Sequence, residues 1–141
     1  MKPITILLLP FLLISFAFKQ QEPLKKEDLI KPKELAQKIK SKASPAPIIF
    51  NVGPMEQIKT AIKIGATNTD AGLLNLKAAL SNISTDREVI IYCGCCTSEN
   101  CPNIRPGLAY LKKSGYKNAK ILEITTGLKV DWIEKGYPMQ L

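Results

Sequence analysis

Histidine is absent from all 141 residues of this chain. Imidazole is the usual base of serine and cysteine hydrolases and the commonest metal ligand. Its absence excludes Ser-His and Cys-His hydrolytic arrangements and leaves other donors to build any metal site. Aromatic residues are scarce at 6%, with a single tryptophan, and they are not interleaved with the lysines, so no nucleic-acid partner is expected. The eight glycines form no Walker or dinucleotide-binding spacing. A cysteine-dependent phosphatase needs arginine six positions after its nucleophile. Six after Cys93, Cys95 and Cys96 stand Glu99, Cys101 and Pro102.

Long apolar runs are also missing, with one exception. Ile4 to Phe18 is almost continuously apolar, follows Lys2, and contains the small-x-small triplet Ser15-Phe16-Ala17. That pattern predicts an export signal cleaved after Ala17, because the run is short of the ~20 residues a span requires. The alternative is an uncleaved anchor. Residues 1–17 are therefore expected to be the signal, 18–31 a polar, lysine-rich tether, and 32–141 one domain. The expected location is periplasmic or secreted, with no stable membrane insertion after cleavage. The net charge of +8 sits largely on scattered lysines, which suits a solvated surface and attracts small anions.

What the chain does have is sulfur in one place. All four cysteines fall between positions 93 and 101. Staples that stabilise a fold close long loops, and these could close only short ones, so the cluster is a local site.

The order of elements places it. Pro32 opens a helix with Leu35, Ala36 and Ile39 on its apolar face. Ile48 to Val52 reads as a strand, Pro54 to about Ile62 as a helix, and Ile64 to Thr67 as a short strand. Asp70 is a candidate N-cap for a helix with Leu73, Leu76, Leu80 and Ile83 on one face. Val89 to Tyr92 is a strand, and Ile104, Leu108 and Leu111 mark a helix ending at Gly115. Ala119 to Ile124 is a strand, and Leu128 to Glu134 a last helix carrying Trp132. Strands that are apolar runs alternating with helices predict an α/β domain, a mostly parallel sheet of four or five strands covered on both faces. Ligands on such sheets bind beyond the carboxyl ends of the strands, where Cys93 sits.

With these elements in order, the chain resembles the rhodanese (sulfurtransferase) superfamily from about Pro32 to Met139. The resemblance rests on Asn51-Val52-Gly53 after the first apolar strand, Gly65-Ala66, Ile90-Ile91-Tyr92-Cys93, Gly115-Tyr116-Lys117-Asn118, and Trp132-Ile133-Glu134-Lys135-Gly136-Tyr137-Pro138. It implies a doubly wound fold, with Cys93 as the nucleophile that forms a persulfide. It also implies a small anionic sulfur donor such as thiosulfate or a persulfide, a thiol acceptor and no resident cofactor. Three features depart from the family. Asn51 and Gly53 replace an acid and an arginine. Twelve positions (93 to 105) separate Cys93 from Arg105, in a loop with three further cysteines. Thr125-Thr126-Gly127 replaces a glycine pair.

A thiol between a strand end and a helix start meets unpaired N–H groups, which favour thiolate. Gly94, Cys95, Cys96, Thr97 and Ser98 are expected to receive substrate, with Arg105 as an anion clamp. Cys95, Cys96 and Cys101 are open to two readings, as resolving thiols or as partners in a loop disulfide. No metal is expected, since Cys-x-Cys-Cys-x4-Cys is not a usual structural zinc spacing. The alternatives are a thiol module carrying copper, zinc or a persulfide to a partner, and a thiol–disulfide oxidoreductase.

Overall fold

The structure, a computed structural model, describes residues 23–141. The expected signal and its cleavage point after Ala17 lie outside the described residues. The elements are β1 (Leu29–Ile30), α1 (Pro32–Lys40), β2 (Ile48–Asn51), β3 (Ile62–Lys63), α2 (Asp70–Ala79), β4 (Val89–Tyr92), α3 (Arg105–Lys113) and β5 (Ala119–Leu122). The strands form one five-stranded sheet in the order β1-β5-β4-β2-β3, and every pairing is parallel. This is the doubly wound α/β architecture expected.

Strand β4 lies at the centre, and all four of its side chains are buried. Successive side chains of a strand point to opposite faces, and this alternation divides the core. Val89 and Ile91 face α2 and α3 with Phe50, Leu76, Leu108, Leu111 and Ile121. Ile90 and Tyr92 face α1 and Trp132 with Ile30, Leu35, Ile49 and Leu122. Burying each isoleucine contributes ~1.5–3 kcal/mol, which is why the most apolar segment takes the middle of the sheet. Continuing the alternation, Cys93 falls on the α2/α3 side. Trp132 is core, edge-on to Tyr137 with ring centroids 5.2 Å apart.

Several boundaries differ from expectation. The segment expected to be a tether contributes β1, which pairs with β5. Ile30 is buried there, and Asp28 pairs with Lys112 at 2.6 Å. A two-residue strand carries no periodicity to detect. No helix forms between Pro54 and Ile62. Ile58 instead bridges Met139 and donates its N–H to the Tyr92 hydroxyl at 3.0 Å, so tertiary partners replace helical ones. Strand β3 is Ile62–Lys63, two residues earlier than expected, with both side chains exposed at the sheet edge. The N-cap of α2 is Thr69, whose Oγ1 accepts from Gly72 N at 3.1 Å. Asp70 occupies the first turn instead, where its charge suits the helix dipole. The last helix is a short π-turn, Lys129–Ile133, with Glu134 N bonded to Lys129 O.

Candidate functional site

The chain runs outward from β2 to β3 on one side and from β4 to β5 on the other. The direction of winding therefore changes between β2 and β4, and the crevice beyond their carboxyl ends is where open α/β sheets place ligands. Gly53 follows β2 there and Cys93 follows β4.

The two residues share one volume. The Asn51 side chain shapes the turn after β2, its Oδ1 accepting from Gly53 N at 2.9 Å and its Nδ2 donating to Met55 O at 3.0 Å. A Cβ on Gly53 would lie 2.2 Å from the Cys93 carbonyl oxygen and 2.6 Å from its Sγ. The missing side chain at position 53 is the slot into which Cys93 fits. The sequence signal for this contact was the glycine of Asn51-Val52-Gly53, directly after the strand.

Beyond Cys93 the loop doubles back. Gly94 takes φ +80°, a region that favours glycine, and a Cβ on it would stand 2.9 Å from Leu128 Cβ. This returns Cys95 Sγ to 3.0 Å from Cys93 Sγ, with Cys96 Sγ 3.5 Å from that of Cys95. A single turn, Ser98–Asn100, then carries the chain to Cys101. All four sulfurs lie within 4.8 Å of one another. Cys93 and Cys101 are buried, Cys96 is half-buried, and Cys95 is exposed at the mouth.

The loop is held in place from outside the sulfur cluster. Ser98 N donates to Ile124 O at 2.8 Å, while Ser98 Oγ donates to Leu122 O and accepts from Ile124 N, both at 2.7 Å. At the far end Thr67 donates to the Asn103 carbonyl and accepts from Gly107 N at 3.0 Å, tying the loop to the start of α3. Asn103 Nδ2 thereby comes within 3.4 Å of Cys93 Sγ.

These neighbours make Cys93 a thiolate site. The Cys101 thiol beside it is the largest influence. With the Cys95 thiol and N–H and the Asn103 amide, it outweighs burial and draws Cys93 from 9.0 down to about 5. Cys95 goes the other way, pushed up to about 12 by burial and by the sulfurs of Cys93 and Cys96. Cys101 is also raised, first by Cys93 and then by burial. The anionic sulfur of Cys93 thus has the Cys95 and Cys101 thiols beside it, which keep their protons and donate them.

The expected site residues separate accordingly. Cys93, Cys95, Cys96 and Cys101 are brought together, all four as free thiols in this structure. Gly94 contributes its turn, and its carbonyl accepts from Leu128 N at 3.3 Å. Thr97 Oγ1 accepts from Asn100 Nδ2 at 3.1 Å. Ser98, expected to receive substrate, is buried, with its hydroxyl bonded to Leu122 O at the end of β5 and to Ile124 N just beyond it. Arg105, expected to be an anion clamp, has Nη2 on the carbonyl and Oε1 of Glu99, both at 2.9 Å. Glu99 also accepts from Leu24 N at 3.2 Å. Gly53, Thr67 and Asn103 were not expected at the site. Thr67 and Asn103 sit in polar stretches whose contacts only the fold reveals.

No family model matches the chain, and no curated protein or solved structure matches it.

Proposed function

We propose that the protein is an exported sulfurtransferase of the rhodanese kind, moving sulfane sulfur through a persulfide on Cys93. The observation that carries this reading is the position of Cys93 Sγ. It lies at the carboxyl end of the central strand, beside the winding switch, with Cys95, Cys101 and Asn103 as donors to a thiolate.

The Cys93 thiolate attacks the outer sulfur of thiosulfate. A Cys93 S–S bond forms, the donor S–S bond breaks, and sulfite leaves with the electron pair. An acceptor thiolate then attacks the outer sulfur of the persulfide, which becomes the acceptor's own persulfide, and the Cys93 thiolate departs. The donors that stabilise the resting thiolate also lower its energy as a leaving group. Cys95 Sγ stands 3.0 Å from Cys93 Sγ on the exposed side, so the incoming sulfur reaches Cys93 as the Cys95 side chain swings out. The basic surface draws the anionic donor, and the apolar run before Ala17 supports export.

Mass spectrometry of the reduced protein after thiosulfate tests the reading. One added sulfur on the Cys93 peptide, removed by a thiol acceptor, is the expected result. No sulfur on that peptide with thiosulfate or with any of several persulfide donors would overturn it.

A further inference from the structure

Persulfide chemistry uses one sulfur, and the cluster holds four. We propose that Cys93, Cys95, Cys96 and Cys101 also form an all-thiolate site for a single thiophilic d10 cation, Zn(II) or Cu(I). The spacing along the chain is unlike a structural zinc motif, and a soft-metal module stood only as an alternative reading of the sequence, so this site belongs to the folded loop.

The geometry points to it in three ways. A tetrahedral centre with Zn–S bonds of ~2.3 Å separates its sulfurs by ~3.8 Å. Here two neighbouring sulfur pairs are 3.0 and 3.5 Å apart, and all pairs lie within 4.8 Å. Small side-chain rotations bring four sulfurs onto one ion. The cluster also closes around a centre, since buried Cys93 and Cys101 form its floor and Cys95 and Cys96 its outer side. Finally, the Ser98 bonds to Leu122 and Ile124 and the Thr67 bond to Asn103 fix the loop through atoms other than sulfur. The ligands are thus gathered before any ion arrives. Asn103 Nδ2, on Cys93 Sγ at 3.4 Å, is the kind of outer hydrogen bond that steadies a coordinated thiolate.

The donor set decides the class of ion. Among the described residues no carboxylate joins the four sulfurs, and the chain has no histidine. Such a set favours Zn(II) and Cu(I) over magnesium, calcium or manganese. Binding involves no electron transfer. Metal–sulfur bonds form, S–H bonds break, and the displaced protons go to the buffer. A cation on Cys93 draws electron density from the thiolate, so the loaded protein is expected to react more slowly with thiosulfate than the metal-free one. Exposed Cys95 is the ligand a partner thiol meets first, which suits transfer of the ion more than permanent retention.

The test titrates reduced full-length chain anaerobically with Zn(II) and, separately, with Cu(I), against a chromophoric chelator. Co(II) serves as a spectroscopic probe. The expected result is one ion per chain, a tetrahedral Co(II) spectrum with sulfur charge-transfer bands, and protection of all four thiols from alkylation. Cys95→Ser and Cys96→Ser remove outer ligands, leave the buried pair intact, and are expected to weaken binding by about tenfold or more. Circular dichroism of both variants confirms that they fold. Tight binding of only one of the two ions supports the site and identifies its occupant. The proposal is overturned if neither ion binds stoichiometrically, if both folded variants bind as tightly as the parent, or if only two thiols are protected. Persulfide formation is read separately on metal-free protein, so either proposal can fail alone.

Discussion

Cys101→Ala tests the electrostatic account of Cys93 most directly, because the Cys101 thiol is the largest influence drawing Cys93 down to about 5. Cys93 is an acid whose pKa is lowered in the fold. Its thiolate is therefore present above about pH 5 and lost as the pH falls through that value, whereas an ordinary thiol at 9.0 ionises only near pH 9. In metal-free protein with a chelator present, the rate of Cys93 alkylation by iodoacetamide should titrate near pH 5 and stay flat from pH 6 to 8. A hydrogen bond to a charged group is worth ~1.5–3 kcal/mol. At ~1.4 kcal/mol per tenfold, losing the Cys101 donor moves the midpoint up by about 1–2, to between about 6 and 7. At pH 5 the thiolate fraction then falls from about a half to between about a tenth and a hundredth. A more basic thiolate is also more nucleophilic, with a Brønsted slope of ~0.4–0.5. The variant should consequently react about 3–10 times faster than the parent at pH 8 while reacting more slowly at pH 5. The two profiles cross. A variant that folds, as judged by circular dichroism, and keeps the parent midpoint would refute the assignment of Cys101 as the main donor.

Three further substitutions probe the frame around the sulfurs. Ser98→Ala leaves Leu122 O and Ile124 N without their buried partner, a loss of about 1–3 kcal/mol for each group. Urea denaturation should show it, and a change below about 0.5 kcal/mol would mean the hydroxyl does not hold the loop. Gly53→Ala forces a methyl into the space of the Cys93 carbonyl and Sγ. Thiosulfate-dependent persulfide formation should be lost even where the protein stays folded, and parent activity in this variant would contradict the shared slot. Tyr92→Phe removes the hydroxyl that accepts from Ile58 N at 3.0 Å and donates to Glu56 O at 3.2 Å. The expected cost is about 1–3 kcal/mol of stability. The parent tyrosine, pushed up to about 12 by burial, should stay un-ionised in an absorbance titration until well past pH 10. Ionisation at the ordinary value of 10.0 would show that the ring is not enclosed.

The sheet was legible because its information is local. A run such as Val89-Ile90-Ile91-Tyr92 is stable only where both faces are covered, and helices between such runs leave few topologies besides a parallel sheet. Leu29-Ile30 could not be found this way. Two residues set no period, and their strand exists only because β5 offers them an edge. The false helix after Pro54 has the same origin, since Ile58 takes a partner from Tyr92 that no nearby residue reveals. At the site, the position of Cys93 was readable as the end of a strand. The roles of Ser98 and Arg105 were not. Both lie in the loop where substrate contacts are expected, but a hydroxyl near the open backbone groups of Leu122 and Ile124 bonds to them first. A guanidinium close to Glu99 likewise pairs with it, and neither competition is visible along the chain.

The slot at Gly53 makes two distant positions one unit of space. Variation at 53 and variation at 93 are therefore not independent events. In a library randomised at both positions, glycine at 53 should dominate whenever the sulfur at 93 is required. Side chains should be admitted at 53 only in clones whose backbone after β4 has taken another path. Selection for sulfur chemistry would then appear as a ban on side chains in a different strand's turn. That makes an unremarkable glycine the cheapest marker for chains built with this loop.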